Sequence, residues 1–382
     1  MKEKRFINRL KTSFCVPVLS FFMAFGSSCM LGGATSSSEN GAGSSLQSNS
    51  SVQSDSSMQS DSSIQSDSSS SETLLSNGLE IHFLTLGNET SGDCTLIKTG
   101  DVEVLIDAGS TRGSADTIVP YISEYCTDGV LEYVIATHGD EDHIAAFVGD
   151  YDDSKDGVFE AFKCRTIIDF PKTTKKTQIY QQYVSLRNAE VKAGATHYTA
   201  LECWNNANGA KRSYVLSEGI TMNILYQEYY EKSTSTENNY SVCMLLSQGE
   251  NHFLFTGDLE SSGESSLVES NDLPKCKLYK AGHHGSNTSS TAKLVTEIQP
   301  EIVVIPCCCG DKHGFPHQET LDAVAPYTDQ VYVPMAGGTL LNGNIVLSSV
   351  EGVVTVTGSN NSTLFKDTEW FQKNRTIPVA WQ

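Results

Sequence analysis

Thr137-His138-Gly139-Asp140-Glu141-Asp142-His143 follows the apolar run Val134-Ile135-Ala136 and crowds two imidazoles and three carboxylates into seven residues. The apolar run reads as a buried β-strand. A loop leaving such a strand can aim several heteroatoms at one point, and positions 138, 140, 142 and 143 offer it His, Asp, Asp and His. An acidic turn in water would account for the carboxylates but not for the two imidazoles among them. Charge of this density is rarely buried without a partner, so the loop is read as a metal site.

Upstream of it, 79–86, 95–98 and 102–106 read as strands with turn signals at Gly92-Asp93 and Gly100-Asp101, and the third ends on Asp107-Ala108-Gly109-Ser110. A helix is predicted over 115–125, and the strand 131–136 delivers the His/Asp loop. Downstream, strands at 220–226, 242–247 and 252–255 lead to Thr256-Gly257-Asp258-Leu259-Glu260, and a helix near 262–269 and a strand at 276–280 lead to Ala281-Gly282-His283-His284-Gly285-Ser286. Helix 291–298, strand 302–306, helix 318–325 and strand 330–334 continue a βαβ alternation. Strands 344–348 and 353–357 close the fold ahead of an irregular tail.

Three strand ends, after Ala136, Phe255 and Lys280, therefore present His138, Asp140, Asp142 and His143, then Asp258, then His283 and His284. Loops at strand ends are where α/β folds place their sites. Between them, 151–219 holds a strand at 166–170, a helix at 178–193 stopped by Gly194, and loops rich in Asn and Lys. It is read as an insertion around the mouth of the site that sets specificity. The run 285–290 opens a helix whose N-terminus either binds an anion or is simply capped. His82, His197 and His252 fall in strands or in the insertion and are read as structural.

The ends of the chain have other compositions. Lys2, Lys4, Arg5, Arg9 and Lys11 precede an apolar stretch at 14–25 and then Gly26-Ser27-Ser28-Cys29, the plan of a secretory signal. Cys29 resembles the lipid-modified cysteine of a bacterial lipoprotein, although Gly26 departs from the Leu usual there. Residues 30–75 are Ser-rich and repeat Gln-Ser-Asp-Ser-Ser at 53–57, 59–63 and 65–69, a tether with almost nothing to bury. That leaves 76–382 as one large α/β domain, outside the cell and anchored to the membrane through lipid on Cys29.

The formal charge is −20, and without residues 1–28 the chain has 21 basic against 45 acidic side chains, or −24. Such a surface repels phosphate backbones and argues against tight nucleic-acid binding. Of eleven cysteines, nine lie in the domain without the spacing of a disulfide or zinc-ribbon framework. Cys307-Cys308-Cys309 ends an apolar run and is read as core.

Taken in order, 105–109 (Leu-Ile-Asp-Ala-Gly), the 137–143 loop, Asn238-Asn239-Tyr240-Ser241, 256–260, His283-His284-Gly285-Ser286 and Gly314-Phe315-Pro316-His317 resemble the metallo-β-lactamase superfamily. Within it they resemble the hydrolase domain of the ComEC-type competence proteins, over residues 79 to 357. The resemblance implies a four-layer αββα sandwich. It implies that His138 and Asp140 face a first metal, that Asp142 and His143 face a second, that Asp258 bridges them, and that one of His283 or His284 completes the second. Asp107 would support the loop from behind, with Asn238, Asn239 and Ser286 as further supporting residues, and His317 stands where a polar group near the site is expected, a candidate proton donor to the leaving group.

Asp140 stands where the broad superfamily has His, and Asn238-Asn239 seems to replace a further His. Both changes make the first position richer in oxygen, so it should favour Mn²⁺ or Mg²⁺ or stay empty, with Zn²⁺ in the second. One or two such ions would acidify a bound water, with Asp142 or Asp258 taking the proton. The function implied is a surface-tethered metallohydrolase, most plausibly of small or polymeric phosphodiesters. Teichoic-acid or phosphocholine esterase and lactone hydrolase are the alternatives, and a non-catalytic metal-binding lipoprotein is the reading from another class. Full-length competence proteins also carry channel and DNA-binding parts, so a role in DNA uptake does not follow.

Overall fold

The computed structural model describes residues 78–150 and 155–382, so the expected leader, tether and Cys29 lie outside the described residues. Among the described residues eighteen strands follow in chain order: β1 Leu79–Phe83, β2 Thr95–Thr99, β3 Val102–Ile106, β4 Val130–Ile135, β5 Lys163–Asp169, β6 Thr196–Thr199, β7 Ser213–Ser217, β8 Ile220–Leu225 and β9 Cys243–Gln248. They continue with β10 Asn251–Phe255, β11 Leu278–Lys280, β12 Ile302–Val304, β13 Cys308–Cys309, β14 Val331–Tyr332, β15 Met335–Ala336, β16 Thr339–Leu340, β17 Ile345–Val350 and β18 Val353–Gly358. One eight-stranded sheet has the order β18-β17-β1-β2-β3-β4-β5-β6, a seven-stranded sheet has β14-β12-β11-β10-β9-β8-β7, and β13-β15-β16 form a small third.

The period-two alternation of strand side chains makes the layers. Along β9 and β10, Met244, Leu246, Phe253 and Phe255 join the core shared with the eight-stranded sheet, whereas Leu245 and Leu254 join the core under the helices Ser261–Ser270, Ala292–Ile298 and Gln318–Val324. Phe83 of β1 stacks on Phe255 of β10 with ring centroids 6.4 Å apart, which locks the sheets face to face. Each such fully buried ring contributes roughly 2–3 kcal/mol of transfer free energy. The helices Ala115–Tyr125 and Gln178–Ala193 cover the other face of the eight-stranded sheet through Ile118, Ile122 and Tyr183. The second of these starts on Thr177, whose side chain accepts from Tyr180 N–H, and ends on Gly194 at φ 119°. The result is the four-layer αββα sandwich expected from the resemblance.

Two expectations change. Residues 155–219 are built into the sheets and are not an insertion, although the 171–177 loop does reach the site: β5 and β6 extend the eight-stranded sheet in parallel and β7 edges the other. Strands β6 and β7 are short edge strands with mostly exposed or half-exposed side chains, so their sequence lacks the apolar run that marks a central strand. The tail is also ordered by a six-residue helix, Glu369–Asn374, with Phe365 and Phe371 fully buried. From it, Arg375 donates to the carbonyls of Pro316 (2.8 Å) and Gly314 (2.7 Å). The nine domain cysteines are buried free thiols, and Cys307 and Cys309 pack in the core under the helices.

Candidate metal centre

Strands β3, β4 and β5 run parallel, as do β10, β11 and β12. Parallel strands bring their C-terminal ends to one edge, so Asp107, the 137–143 loop, Asp258 and the His283-His284 pair gather there. Gly109 makes this possible at close quarters, because a Cβ on it would stand 1.8 Å from the carbonyl oxygen of Asp142.

One half of the site is buried and tightly cross-linked. Asp142, His143, Asp258 and His284 each offer a ligand atom, and the four atoms lie within 4.8 Å of one another. His143 Nε2 is 3.1 Å from Asp258 Oδ2, and His284 Nε2 is 3.4 Å from both Asp142 and Asp258. Behind them, His143 Nδ1–H donates to Asp107 Oδ2 (2.8 Å), and Asp107 accepts from the backbone N–H and hydroxyl of Thr137, both at 2.7 Å. His284 Nδ1–H donates to the Pro306 carbonyl (3.0 Å). Each ring is thereby fixed with Nε2 facing inward. His284, and not His283, completes the group. His283 stands 4.0 Å from Asp258 and turns its Nδ1 to the Thr288 hydroxyl (2.9 Å).

The donor set suits a divalent cation. His138 Nε2, His143 Nε2, His284 Nε2 and Asp258 Oδ1 are buried and make no hydrogen bond. Imidazole nitrogen and carboxylate oxygen are the donors such an ion takes. Electrostatics agree. Burial pushes the Asp258 and Asp142 carboxyls up, but neighbouring imidazoles more than reverse it and hold both below the usual carboxylate range. Burial pulls His143 and His284 down, yet the surrounding carboxylates raise both. The same negative field that retains protons on these rings attracts a metal in their place.

The other half is more open. His138 is buried, with Nε2 3.4 Å from Asp140 Oδ2, and Asp140 pairs with Lys175. Asn238 donates to Glu260 (3.0 Å) and lies 3.4 Å from the His283 ring. Asn239 accepts from the Glu260 N–H (3.1 Å) and donates to Ser262 (3.3 Å), so it holds the 258–262 turn.

One sequence expectation fails on geometry. His317 accepts from Asn287 N–H (2.9 Å) and donates to the His313 carbonyl (3.1 Å), and it borders a separate depression with Arg375. Both ring nitrogens are engaged by backbone, and His313 lines the cleft over the metal centre instead. Of the two readings of 285–290, the structure fits capping: Thr291 accepts from the Leu294 N–H at the start of the helix. The Ser290 and Thr291 N–H groups already donate to the buried Glu264 carboxylate at 2.6 and 2.8 Å, and Ser286 bonds Thr288 within its own turn. His82, His197 and His252 bond Tyr121, Asp169 and Ser247 away from the centre, as expected of structural histidines.

Sequence reasoning missed four residues. Buried Asp93 pairs with Lys280 and lies 3.3 Å from His284 Nδ1, yet it read as a turn signal. Lys280 is itself buried, donates to the Gly257 carbonyl (3.1 Å) and sits 3.9 Å from Asp258. A lysine ending the otherwise apolar strand ahead of His283-His284 is the signal that could have found it. Glu237 and Lys175 left no local signal.

A family model described as the Metallo-beta-lactamase superfamily matches residues 87–149. Recombination protein 2 of Haemophilus influenzae is 25% identical over 245 residues, covering 63% of this chain and 26% of that protein. ComE operon protein 3 of Bacillus subtilis is 27% identical over 106 residues, covering 28% of this chain and 14% of its own length. Among solved structures, the metallo-beta-lactamase fold protein YhfI from Bacillus subtilis aligns with 72% of this chain and all of its own, at 13% identity and a TM-score of 0.43. The chain spans about a quarter or less of the length of these curated relatives. Asp93, Asp107 and the 137–143 loop all lie within the matched residues 87–149, so this part of the chain is similar to the Metallo-beta-lactamase superfamily, and the chain is similar over part of its length to the recombination and competence proteins named above.

Proposed function

We propose that the protein is an exported, surface-tethered metallohydrolase that cleaves phosphodiesters. The observation that carries this reading is the convergence of Asp142, His143, Asp258 and His284, their inward nitrogens unbonded, with Asp142 and Asp258 lining a cleft of about 530 Å³. A divalent cation held by these four side chains, Zn²⁺ in our reading, supplies Lewis-acid chemistry and acidifies water. Asp107 and the Pro306 carbonyl keep the two imidazoles in the tautomer that leaves Nε2 free for it. Asp142 borders the cleft with a side chain 36% exposed, and takes the proton of the attacking water. His313, which also lines the cleft and stacks on Phe315 at 5.3 Å, protonates the leaving oxygen in this reading.

The charge of the rim supports this substrate class. Asp140, Glu141 and Asp311 line the cleft beside Lys312 and His313, so a singly charged diester is admitted more readily than a polyanion. Bis-p-nitrophenyl phosphate, single-stranded DNA and a lactone, offered to metal-loaded protein, test this: the diester is turned over fastest. Turnover of none of the three would sink the catalytic reading, and a lactone preferred over the diester would move it to esters. Export rests on the pattern of residues 2–29, and Cys29→Ser is expected to release the protein from the membrane fraction.

A further inference from the structure

The loop at 171–177 does something for the site that its sequence does not announce. Buried Glu237 accepts from four groups on two loops: the N–H of Gly139 (3.1 Å), the hydroxyl of Thr173 (2.6 Å), and the N–H and hydroxyl of Thr174 (2.6 and 2.7 Å). Thr173 in turn accepts from the N–H of Lys175 (2.9 Å). This clamp lays the loop over Gly139 so closely that a Cβ there would stand 2.8 Å from Glu237 Oε1 and 3.2 Å from Lys175 Cγ. It also sets the Lys175 ammonium against Asp140 Oδ1, while Asp140 Oδ2 faces His138 Nε2.

That is where the resemblance puts a first metal. Apart from Asp258, which the resemblance places between the two positions, its other candidate donors are committed elsewhere, Asn238 to Glu260 and His283, Asn239 to Glu260 and Ser262. Among the described residues, the groups of three or more side chains able to share an ion include neither His138 nor Asp140, whereas Asp142, His143, Asp258 and His284 form one. An ammonium is a compact point charge, and two like charges a few ångströms apart in a partly buried site repel by several kcal/mol at an effective dielectric of about 20.

We propose that Lys175 occupies the first metal position as a built-in cation, so that the centre takes up one divalent ion per chain, at Asp142, His143, Asp258 and His284. Asp140 then anchors Lys175, and Glu237 positions it. This rests on the reading of the site as a metal centre. The test is Mn²⁺ titration of the whole protein by calorimetry, with metal analysis after desalting and the electron paramagnetic resonance spectrum of the bound ion. Wild type is expected to hold one Mn²⁺ with the spectrum of an isolated ion. Lys175→Met is expected to hold two, exchange-coupled, and Lys175→Arg is expected to hold one. Glu237→Gln, which loosens the clamp, should raise affinity for a second ion at least tenfold. Two ions in wild type, or one in both wild type and Lys175→Met, would overturn the role of Lys175 and leave the metal centre standing. No bound ion in wild type overturns both. Lys175 and Asp140 are both partly exposed, so thermal melts of the variants should match wild type, and the Lys175→Arg result stands on its own if one does not.

Discussion

Asp142, His143, Asp258 and His284 hang from the ends of sheet strands and are backed by Asp107, Asp93 and Lys280, whereas His138 and Asp140 face the loop between β5 and the helix Gln178–Ala193, which one carboxylate, Glu237, holds in place. The first half is built from contacts that the fold must make anyway, because closing the two sheets brings β3, β4, β10 and β11 to one edge. The second depends on a handful of side chains between 137 and 237. Chemistry that tolerates no displacement belongs on the first, and adjustment of charge and access can be made on the second. Removing a group from the strand-borne half should therefore abolish function.

The sharpest way to break that contrast is Asp142→Ala. It takes away a ligand that is also the proposed proton acceptor, and activity should fall by far more than the about 10- to 100-fold that loss of an outer partner costs. Because Asp142 is the most exposed of the four, the melting temperature in the absence of metal should stay close to wild type. Steady-state hydrolysis of bis-p-nitrophenyl phosphate and a thermal melt check both halves of the statement. Activity within tenfold of wild type would remove Asp142 from the mechanism.

Much of the strand-borne half is legible in the sequence because its residues lie in short contiguous motifs behind apolar runs. The run 134–136 announces 137–143, β10 announces Asp258, and β11 announces His283-His284. What sequence could not decide there, His283 or His284, depends on two successive left-handed residues, at φ 49° and 53°. They turn adjacent rings apart, and nothing in the residue types specifies that. In the other half His138 and Asp140 are legible in the same motif, but the contacts that hold them are not, for a different reason. Lys175 meets Asp140 across 35 positions, and Glu237 meets Thr173 across 64. No local pattern encodes either contact, and the surrounding Thr and Lys residues look like any solvated loop. Strands β6 and β7 were missed because edge strands need no apolar run.

One carboxylate supporting the strand-borne half gives it a dependence on pH. Glu264, fully buried under the His283-His284 loop, has its carboxyl pushed up from 4.5 to about 7, since burial opposes ionisation more than the Ser290 and Thr291 amides favour it. Between those values the folded chain binds more protons at Glu264 than the unfolded chain does. Its stabilising contribution is therefore complete below about pH 4.5 and is lost as pH rises through about 7. Glu264→Gln cannot ionise. The stability of wild type relative to this variant should decline by roughly 3 kcal/mol from pH 4.5 to 8, as read from urea midpoints across that range. A difference independent of pH would show that Glu264 is ionised throughout.

Asp107→Asn tests the backing of the strand-borne half more gently. The amide keeps the size and one acceptor, but it presents an N–H or a neutral oxygen to His143 Nδ1, where the carboxylate accepts at 2.8 Å. Ring orientation and ligand basicity both suffer, so affinity for Zn²⁺ should fall about 10- to 100-fold, measured by competition with a chromophoric chelator. A loss below threefold would mean that Thr137 and packing alone orient the ring.

The smallest effect is expected at His317, and its size separates sequence proximity from geometry. The residue follows Gly314-Phe315-Pro316 on the wall of the site, which made it a candidate proton donor, yet its two ring nitrogens bridge the backbones of Asn287 and His313 and it borders the depression beside Arg375. His317→Ala removes two half-exposed hydrogen bonds and should cost no more than about 0.5 kcal/mol of stability, or two- to threefold in activity through small shifts of the 313–317 loop. His313→Ala, which removes the imidazole that lines the cleft, should lower kcat more than that while leaving KM for the diester nearly unchanged, and the loss should shrink with a better leaving group, since a group that departs as a stable anion needs no proton. If instead His317→Ala lowers kcat a hundredfold with the same dependence on leaving group, the loop must rearrange when substrate binds, and the proton would be delivered by the residue that the sequence motif first suggested.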